Sequence, residues 1–372
     1  MKQLFLGLLT QRPILWLILL WSALITPVNA VQLRVAVEQD ATKVKVGTST
    51  PGVVRDLNRD RILGKLAALN AFYAQPSSSG VAIEQMQSQA MWIEPSGNGY
   101  VYVGDRWYRG KTLLLPTGKG LTAVNYVDLE QYLYSVLGSE MSGNWPQEAL
   151  KAQAVAARTY ALYKQKNERN PVYDVVDTVA SQVYHGVASE SAGTHAAVNA
   201  TTGEILTYNN QAILSVFHAC SGGHTENVEE VWSQPLPYLR GVAGYDENVS
   251  KCQWAKTLSA ADISQRIPGI GNVKSITPNY TSYGSLKTMK FVGDRGTREL
   301  RGAAVRNALG LRSTRFKIAE DRSGLIFNGN GWGHGLGMSQ WGAYNLARQG
   351  VKYQQILTHY YRGVSLAKIE SR

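Results

Sequence analysis

Four places in this chain hold residues whose types and spacing could do chemistry. They are a carboxylate in the turn Ser139-Glu140-Met141, a guanidinium at Arg158, an imidazole at His334 inside a run of alternate glycines, and the cluster His218, Cys220 and His224 with Cys252 further on. A carboxyl group kept protonated near neutral pH is a general acid. A permanent cation on a small, apolar helical stripe needs a carboxylate, carbonyl or ligand partner, because leaving it unpaired is very costly. Two cysteines and two histidines make a legitimate zinc set. The same two cysteines, an even count in an exported chain, also read as a single disulfide.

The elements that must position these groups follow from local pattern. Asp128 with Gln131 three residues on is a helix start of capping-box type, and Leu129, Leu133, Val136 and Leu137 supply the apolar face. Gly138 is expected to stop that helix, which puts Glu140 just past the negative end of its dipole, where the proton is held more tightly. A second, alanine-rich helix follows, with Asn144 as the expected N-cap and Pro146 in its first turn. Leu150, Ala154, Arg158 and Ala161 share one stripe of it. The run Gly331-Trp332-Gly333-His334-Gly335-Leu336-Gly337 reads as backbone that must approach a ligand or a neighbouring element closely. Ser339 then caps a helix over Gln340–Arg348.

Each group also has a plainer reading from its position alone. Glu140 is otherwise a solvated turn carboxylate, Arg158 a buried ion pair bracing two helices, and His334 a satisfied structural histidine. Trp145 and Tyr160 read as core aromatics before they read as sugar-stacking platforms. Glu148 is accounted for by the first turn of its helix, where acids offset the dipole.

Composition bounds the rest. The chain has 372 residues, 44% hydrophobic and 17% charged, with a formal net charge of +11, the balance of a globular protein with ample material for a core. A basic surface suits nucleic acid, an anionic membrane or an anionic envelope polymer. The first thirty residues have a charged start (Lys2, Arg12), the apolar run Ile14–Thr26 and a small-residue end at Pro27-Val28-Asn29-Ala30. That is the layout of a secretory signal, so residues 1–30 are expected to be a leader, or an uncleaved anchor if Leu4–Leu9 joins the apolar run. Export to the periplasm or cell envelope then disfavours nucleic acid, and membrane contact is expected only through an uncleaved N-terminal segment.

Residues 31–127 read as a β-rich subdomain, with short runs at Leu33–Glu38, Thr42–Gly47, Val81–Glu84, Met91–Glu94, Tyr100–Val103 and Thr112–Leu115, and a loop at Gln75–Gly80. Later segments read as helices at Ser189–Thr201, Ser259–Arg266 and Arg298–Leu309, and as strands at Glu204–Tyr208, Val273–Thr277 and Leu286–Val292. Helices and strands do not alternate as clean βαβ units. The expected fold is therefore α+β, one contiguous domain over residues 31–372 in which a mixed sheet packs with helices.

The block "NYVDLEQYLYSVLGSEMSGNWPQEALKAQAVAARTYAL" (125–162) resembles the core of the stage II sporulation protein D family, which includes the amidase enhancers. So, in the family's order, do "RWYRGKTLLL" (106–115), "DTVASQVYHG" (177–186), "FHACSGGHTENVEEVW" (217–232), "VRNALGLRSTRFKI" (305–318) and "NGNGWGHGLGMSQWGAYNLARQG" (328–350). The resemblance implies a long groove and a lytic transglycosylase acting on peptidoglycan glycan strands stripped of stem peptides, with products ending in 1,6-anhydro sugars. It implies that Glu140 is the acid and base, that Arg158 lines the substrate groove, and that no cofactor is required; His334, which projects from the glycine run, is read from its position as a further contact to sugar hydroxyls or to Glu140. It leaves zinc at His218, Cys220 and His224 open, since some members are associated with that metal. A different function under the same resemblance is a non-catalytic wall-binding module that enhances a cell-wall amidase.

Overall fold

The structure, a computed structural model, describes residues 31–232, 234–322 and 324–369. The leader expected at residues 1–30 lies outside the described residues. The N-terminal part is β-rich, as its short alternating runs require. Seven strands form one sheet in the order Val175–Val176, Gln32–Ala41, Gly120–Asp128, Lys111–Thr117, Met91–Pro95, Gly52–Asp56 and Ile62–Leu66. Its pairings are antiparallel except for the first, where Val35 lies beside Val175 in a parallel pair, so the sheet is mixed. Six strands form a second sheet, Arg106–Tyr108, Val101–Val103, Val44–Thr48, Ala71–Ser77, Gly80–Ile83 and Met86–Ser88. Both sheets contribute to one core: Leu33, Val35 and Leu114 from the first meet Val46, Ala74 and Ile83 from the second. The segment expected as a loop at Gln75–Gly80 is mostly strand, because Ser77 pairs with Gly80 across a tight hairpin.

Helix α1 (Leu129–Glu140) leaves this sheet directly. Asp128 caps it, its Oδ1 accepting from the N–H groups of Glu130 and Gln131 at 3.0 and 3.1 Å. Gly138 does not end the helix; α1 continues two residues to Glu140. The glycine is there for clearance, since a Cβ at 138 would lie 1.7 Å from the carbonyl oxygen of Ser189. Helix α2 (Gln147–Asn167) begins after Pro146, which itself occupies the cap position with extended dihedrals. Asn144 therefore does not cap α2; it sits in the turn Ser142–Trp145.

Helix α2 is the beam of the molecule. Leu150, Ala154, Ala157 and Ala161 pack into the first core, while Ala149, Ala152, Val155, Ala156 and Tyr160 pack into a second. Alanine on both faces lets neighbours approach the axis on two sides at no cost in helix propensity. Helix α3 (Ala192–Ala200) starts with a capping box at Ser191 and Thr194, three residues later than the sequence suggests, after a short 3₁₀ turn at Gly186–Ser189.

The second core holds the one-turn α4 (Val228–Val231), two later helices described below, and a three-stranded sheet of Gln211–Ala212, Glu204–Tyr208 and Ser365–Lys368. A third core belongs to a lobe between Gln253 and Asn330. Leu258, Ile263, Phe291, Val305, Leu309 and Phe327 fill it, under two three-stranded antiparallel sheets and helices α5 (Ala260–Arg266) and α6 (Gly302–Leu309). The expected helix at Arg298–Leu309 starts only at Gly302, because Thr297–Arg301 pairs as a strand with Thr288–Val292. The chain then returns through the glycine run to α7 (Gln340–Arg348) and α8 (Tyr353–Tyr360). With several sheets and eight helices among the described residues, the architecture is α+β.

Candidate functional site

A cleft of about 880 Å³ opens where these three regions meet. Glu140 at the end of α1 and Tyr160 and Lys164 of α2 line one side. His218, Arg306 of α6, Trp332 and His334 line the other.

Glu140 sits in the cleft wall with two partners and no counter-ion. Its Oε1 accepts from the N–H of Val183 at 3.1 Å and its Oε2 from Nε2 of Gln340 at 3.2 Å. Among the described residues no cation lies within ion-pair distance of it. Burial holds its pKa above the ordinary carboxylate range, and the two donated hydrogen bonds pull the other way without cancelling that effect. Desolvation is the largest cause, and the C-terminal end of α1, where Glu140 lies, acts in the same direction.

Gln340 is aimed by a chain of local structure. It is the first residue of α7, whose cap Ser339 accepts from the N–H of Gly342 at 3.1 Å. Ser339 in turn donates to the buried Asp246 at 2.5 Å. Asp246 also accepts from the N–H groups of Ser221 and Gly223 and from the Ser221 hydroxyl. One carboxylate thereby ties the turn after Cys220 to the start of α7. Ser221 thus donates to a buried structural acid through both its N–H and its hydroxyl.

The alternate glycines solve a packing problem. Residues 338 and 339 run parallel to Phe217 and His218, and the approach to that pair is too close for side chains. A Cβ at Gly333 would lie 2.7 Å from Cβ of His218, and one at Gly337 would lie 2.0 Å from the carbonyl oxygen of Val216. Both have positive φ, 114° and 66°, which favours glycine independently. The approach is to a neighbouring strand, and it sets His334 against His218 with ring centroids 5.4 Å apart.

The two imidazoles divide their polar atoms in complementary ways. His218 Nδ1 donates to the carbonyl of Leu336 at 3.0 Å, which leaves Nε2 as an unpartnered, buried acceptor. His334 Nδ1 accepts from the N–H of Leu336 at 3.0 Å, which leaves the proton on Nε2. Burial drives the pKa of His218 down to about 4. Burial, His218 and the nearby Arg306 take His334 down to about 3. Both are neutral at physiological pH, one a hydrogen-bond acceptor and one a donor.

Arg158 is elsewhere. Its side chain is fully buried between α1 and the strand Glu204–Tyr208. Its fork closes on the carboxylate of Glu130, Nε to Oε1 at 2.7 Å and Nη2 to Oε2 at 2.6 Å, and Nη1 donates to the carbonyl of Glu204 at 3.0 Å. Arg158 does not line the cleft, which corrects the substrate contact carried over from the resemblance. The guanidinium is consumed by a brace.

Cys220 and Cys252 are bonded as a disulfide, Cα to Cα 6.1 Å, closing a loop with a sequence separation of 32. In the chain-entropy picture such a closure contributes roughly 3–4 kcal/mol. It ties the cleft strand to the base of the third lobe. Zinc ligation by His218, Cys220 and His224 does not assemble, because the sulfurs are bonded to each other. His224 donates Nδ1 to the Thr225 carbonyl at 2.7 Å and stacks on Tyr283 at 4.0 Å. Trp145 is core, packed against Trp341 and Tyr344. Tyr160 lines the cleft.

Residue types alone did not reveal several cleft groups. The N–H of Val183 carries no side-chain signal at all. Gln340 was legible as a helix start and not as a partner of Glu140. Arg306, Arg312 and Trp332 fall in the segments 305–318 and 328–350 already singled out, and the signal available was a pair of cations flanking Gly310.

A family model described as "Stage II sporulation protein" matches residues 117–208, from the end of the strand Lys111–Thr117 through α1 and α2 to Tyr208. An uncharacterized protein of Brachyspira hyodysenteriae is 36% identical over 276 residues, which cover 72% of this chain and 74% of that protein. The stage II sporulation protein D of Bacillus subtilis is 33% identical over 272 residues, 67% of this chain and 77% of that one. The amidase enhancer of Bacillus subtilis is 30% identical over 290 residues, which cover 63% of this chain and 40% of that larger protein.

Proposed function

The chain belongs to the stage II sporulation protein D family, and on that premise we propose that it is a peptidoglycan lytic transglycosylase with Glu140 as its single acid and base. The observation that carries the reading is a half-buried carboxyl in a cleft, with no cation within ion-pair distance among the described residues, whose pKa desolvation raises. In the first step Glu140 gives its proton to the glycosidic oxygen while the bond from that oxygen to the anomeric carbon breaks. The positive charge that develops on the muramyl ring is then met by that sugar's own 6-hydroxyl. Its oxygen bonds to the anomeric carbon and its proton returns to Glu140. The N–H of Val183 and the amide of Gln340 are placed to stabilise the carboxylate between the two transfers.

The inventory of cleft carboxylates supports an internal nucleophile over water. A hydrolase usually needs a second carboxylate across the bond. The other acid lining the cleft, Glu168, is largely exposed and pairs with Lys164. The neutral His218 and His334 line the same wall, where the Nε2–H of His334 also faces the Phe217 carbonyl. Export to the cell envelope is part of the same proposal and rests on the leader-like residues 1–30.

Incubation with purified, peptide-stripped glycan strands tests the reading. Mass spectrometry is expected to find 1,6-anhydro ends with the wild-type protein and none with Glu140→Gln. A second reading, a wall-binding module that stimulates an amidase, is favoured by the similarity to the amidase enhancer. It predicts no cleavage by either protein and full amidase stimulation by Glu140→Gln.

A further inference from the structure

Three cations line the cleft, and two have partners within the chain. Lys164 pairs with Glu168, and the guanidinium of Arg312 lies over the ring of Trp332 at 4.7 Å from its centroid. The side chain of the third, Arg306 on α6, has no hydrogen bond and no ion pair among the described residues. It is half-buried, and burial is what lowers its pKa, with no carboxylate acting in the opposite sense. It stands close enough to His218 and His334 to disfavour a charge on either. The Arg158 brace shows what this fold does with a guanidinium it needs only for stability: it closes the fork on a carboxylate. Arg306 is left open, facing the space where the reading above puts the substrate.

We propose that Arg306 is a specificity-determining residue that binds the free lactyl carboxylate of a muramyl residue in the cleft. The inference rests on the transglycosylase reading. The sugars of a glycan strand are neutral except for this group, which is anionic only when no stem peptide is attached. A peptide converts it to an amide, which cannot neutralise the guanidinium. The planar fork of arginine matches a carboxylate through two parallel N–H bonds, so the interaction depends on shape as well as charge. With His218 and His334 held neutral, the charge of that wall comes from Arg306 and Arg312, and Arg312 is already engaged with the Trp332 ring. Arg306 would thereby be the residue that reads the absence of a stem peptide, the preference that the family resemblance implies.

The test measures binding and needs no turnover. In a Glu140→Gln background, calorimetry compares three ligands: glycan oligomers with free lactyl carboxylates, the same oligomers with those carboxylates converted to primary amides, and oligomers retaining stem peptides. The free form is expected to bind roughly tenfold more tightly than the amidated one, about the worth of a charge-assisted hydrogen bond. Adding Arg306→Gln is expected to abolish the difference. Arg306→Lys, which keeps the charge and loses the fork, is expected to retain part of it and carries the test if the glutamine variant fails to fold. Equal binding of free and amidated oligomers would overturn this inference and leave the proposed function standing. So would an undiminished preference in Arg306→Gln. Peptide-bearing oligomers that bind as tightly as free ones, and lose that affinity with Arg306→Gln, would move the carboxylate to the stem peptide and overturn the lactyl assignment. Absence of binding to every oligomer would overturn both readings.

Discussion

Two buried, polar regions on consecutive helices behave in opposite ways. At the brace, Arg158 meets Glu130 with both arms of its fork and the Glu204 carbonyl with a third donor, and Glu130 also accepts from the N–H of Gly203 at 3.2 Å. At the cleft wall, among the described residues, Glu140 has two neutral donors and no cation, His218 keeps a bare Nε2, and the Arg306 side chain has no anion. The brace is closed chemistry: each charge is spent inside the protein, so it stabilises and reacts with nothing. The cleft is open chemistry, with polarity that the protein has paid to bury and has not satisfied. The proposed function rests on the incompletely satisfied groups, and the difference separates Glu140 from Arg158, which the family resemblance had placed in one site.

The largest expected effect breaks the cleft side. Glu140→Gln is expected to reduce cleavage by about 10³-fold, the usual scale for loss of a general acid and base, while leaving the fold intact. Quantitative product analysis and circular dichroism read the two parts. On the brace side, Arg158→Met is expected to cost about 3 kcal/mol of stability by chemical denaturation, at the lower end for a broken buried pair because Glu130 keeps some solvent contact. The folded protein should still cleave. A double Glu130→Met, Arg158→Met variant is expected to lose less than the sum of the singles. A severe drop in turnover with normal stability for Arg158→Met would instead put that residue back in the site.

Asp246 sharpens the comparison, because it is a closed cluster that serves the open one. Asp246→Asn replaces an acceptor oxygen by a donor amide among four donors from Ser221, Gly223 and Ser339. The expected cost is about 2 kcal/mol in unfolding free energy, together with a several-fold loss of turnover as the start of α7 and Gln340 shift. The smallest effect is one of pH. The folded pKa of Glu140 lies above its unfolded value, so the stability this group contributes is fully present below the ordinary carboxylate pKa of about 4.3. It is lost as pH rises through the raised folded value. Glu140→Gln does not titrate, so its melting temperature relative to wild type is expected to rise across that window. Thermal scans at several pH values check the sign.

Much of this was legible in the sequence where local rules act alone. Asp128 and Ser339 were readable as caps, Ser259 as the start of α5, and Glu204–Tyr208 as a strand, because each depends on neighbours within a few residues. Glu140 was legible through its motif. What failed depended on distant atoms. Gly138 looks like a helix stop and is instead a gap for the Ser189 carbonyl. Residues 298–301 have helical composition and are recruited by a neighbouring strand. Arg158 signals an unusual burial, but only the fold shows that Glu130, a full helix away, completes it. Conversely, Arg306 looks like any helix-surface arginine until the fold sets it in the cleft wall, where no described residue pairs with its side chain.

The most direct measurement of the central claim is to run the cleavage in ¹⁸O-labelled water and weigh the new ends by mass spectrometry. One buried carboxyl working with the substrate's own 6-hydroxyl predicts 1,6-anhydro products free of the label. New reducing ends carrying ¹⁸O would mean that water is the nucleophile, and would contradict the account.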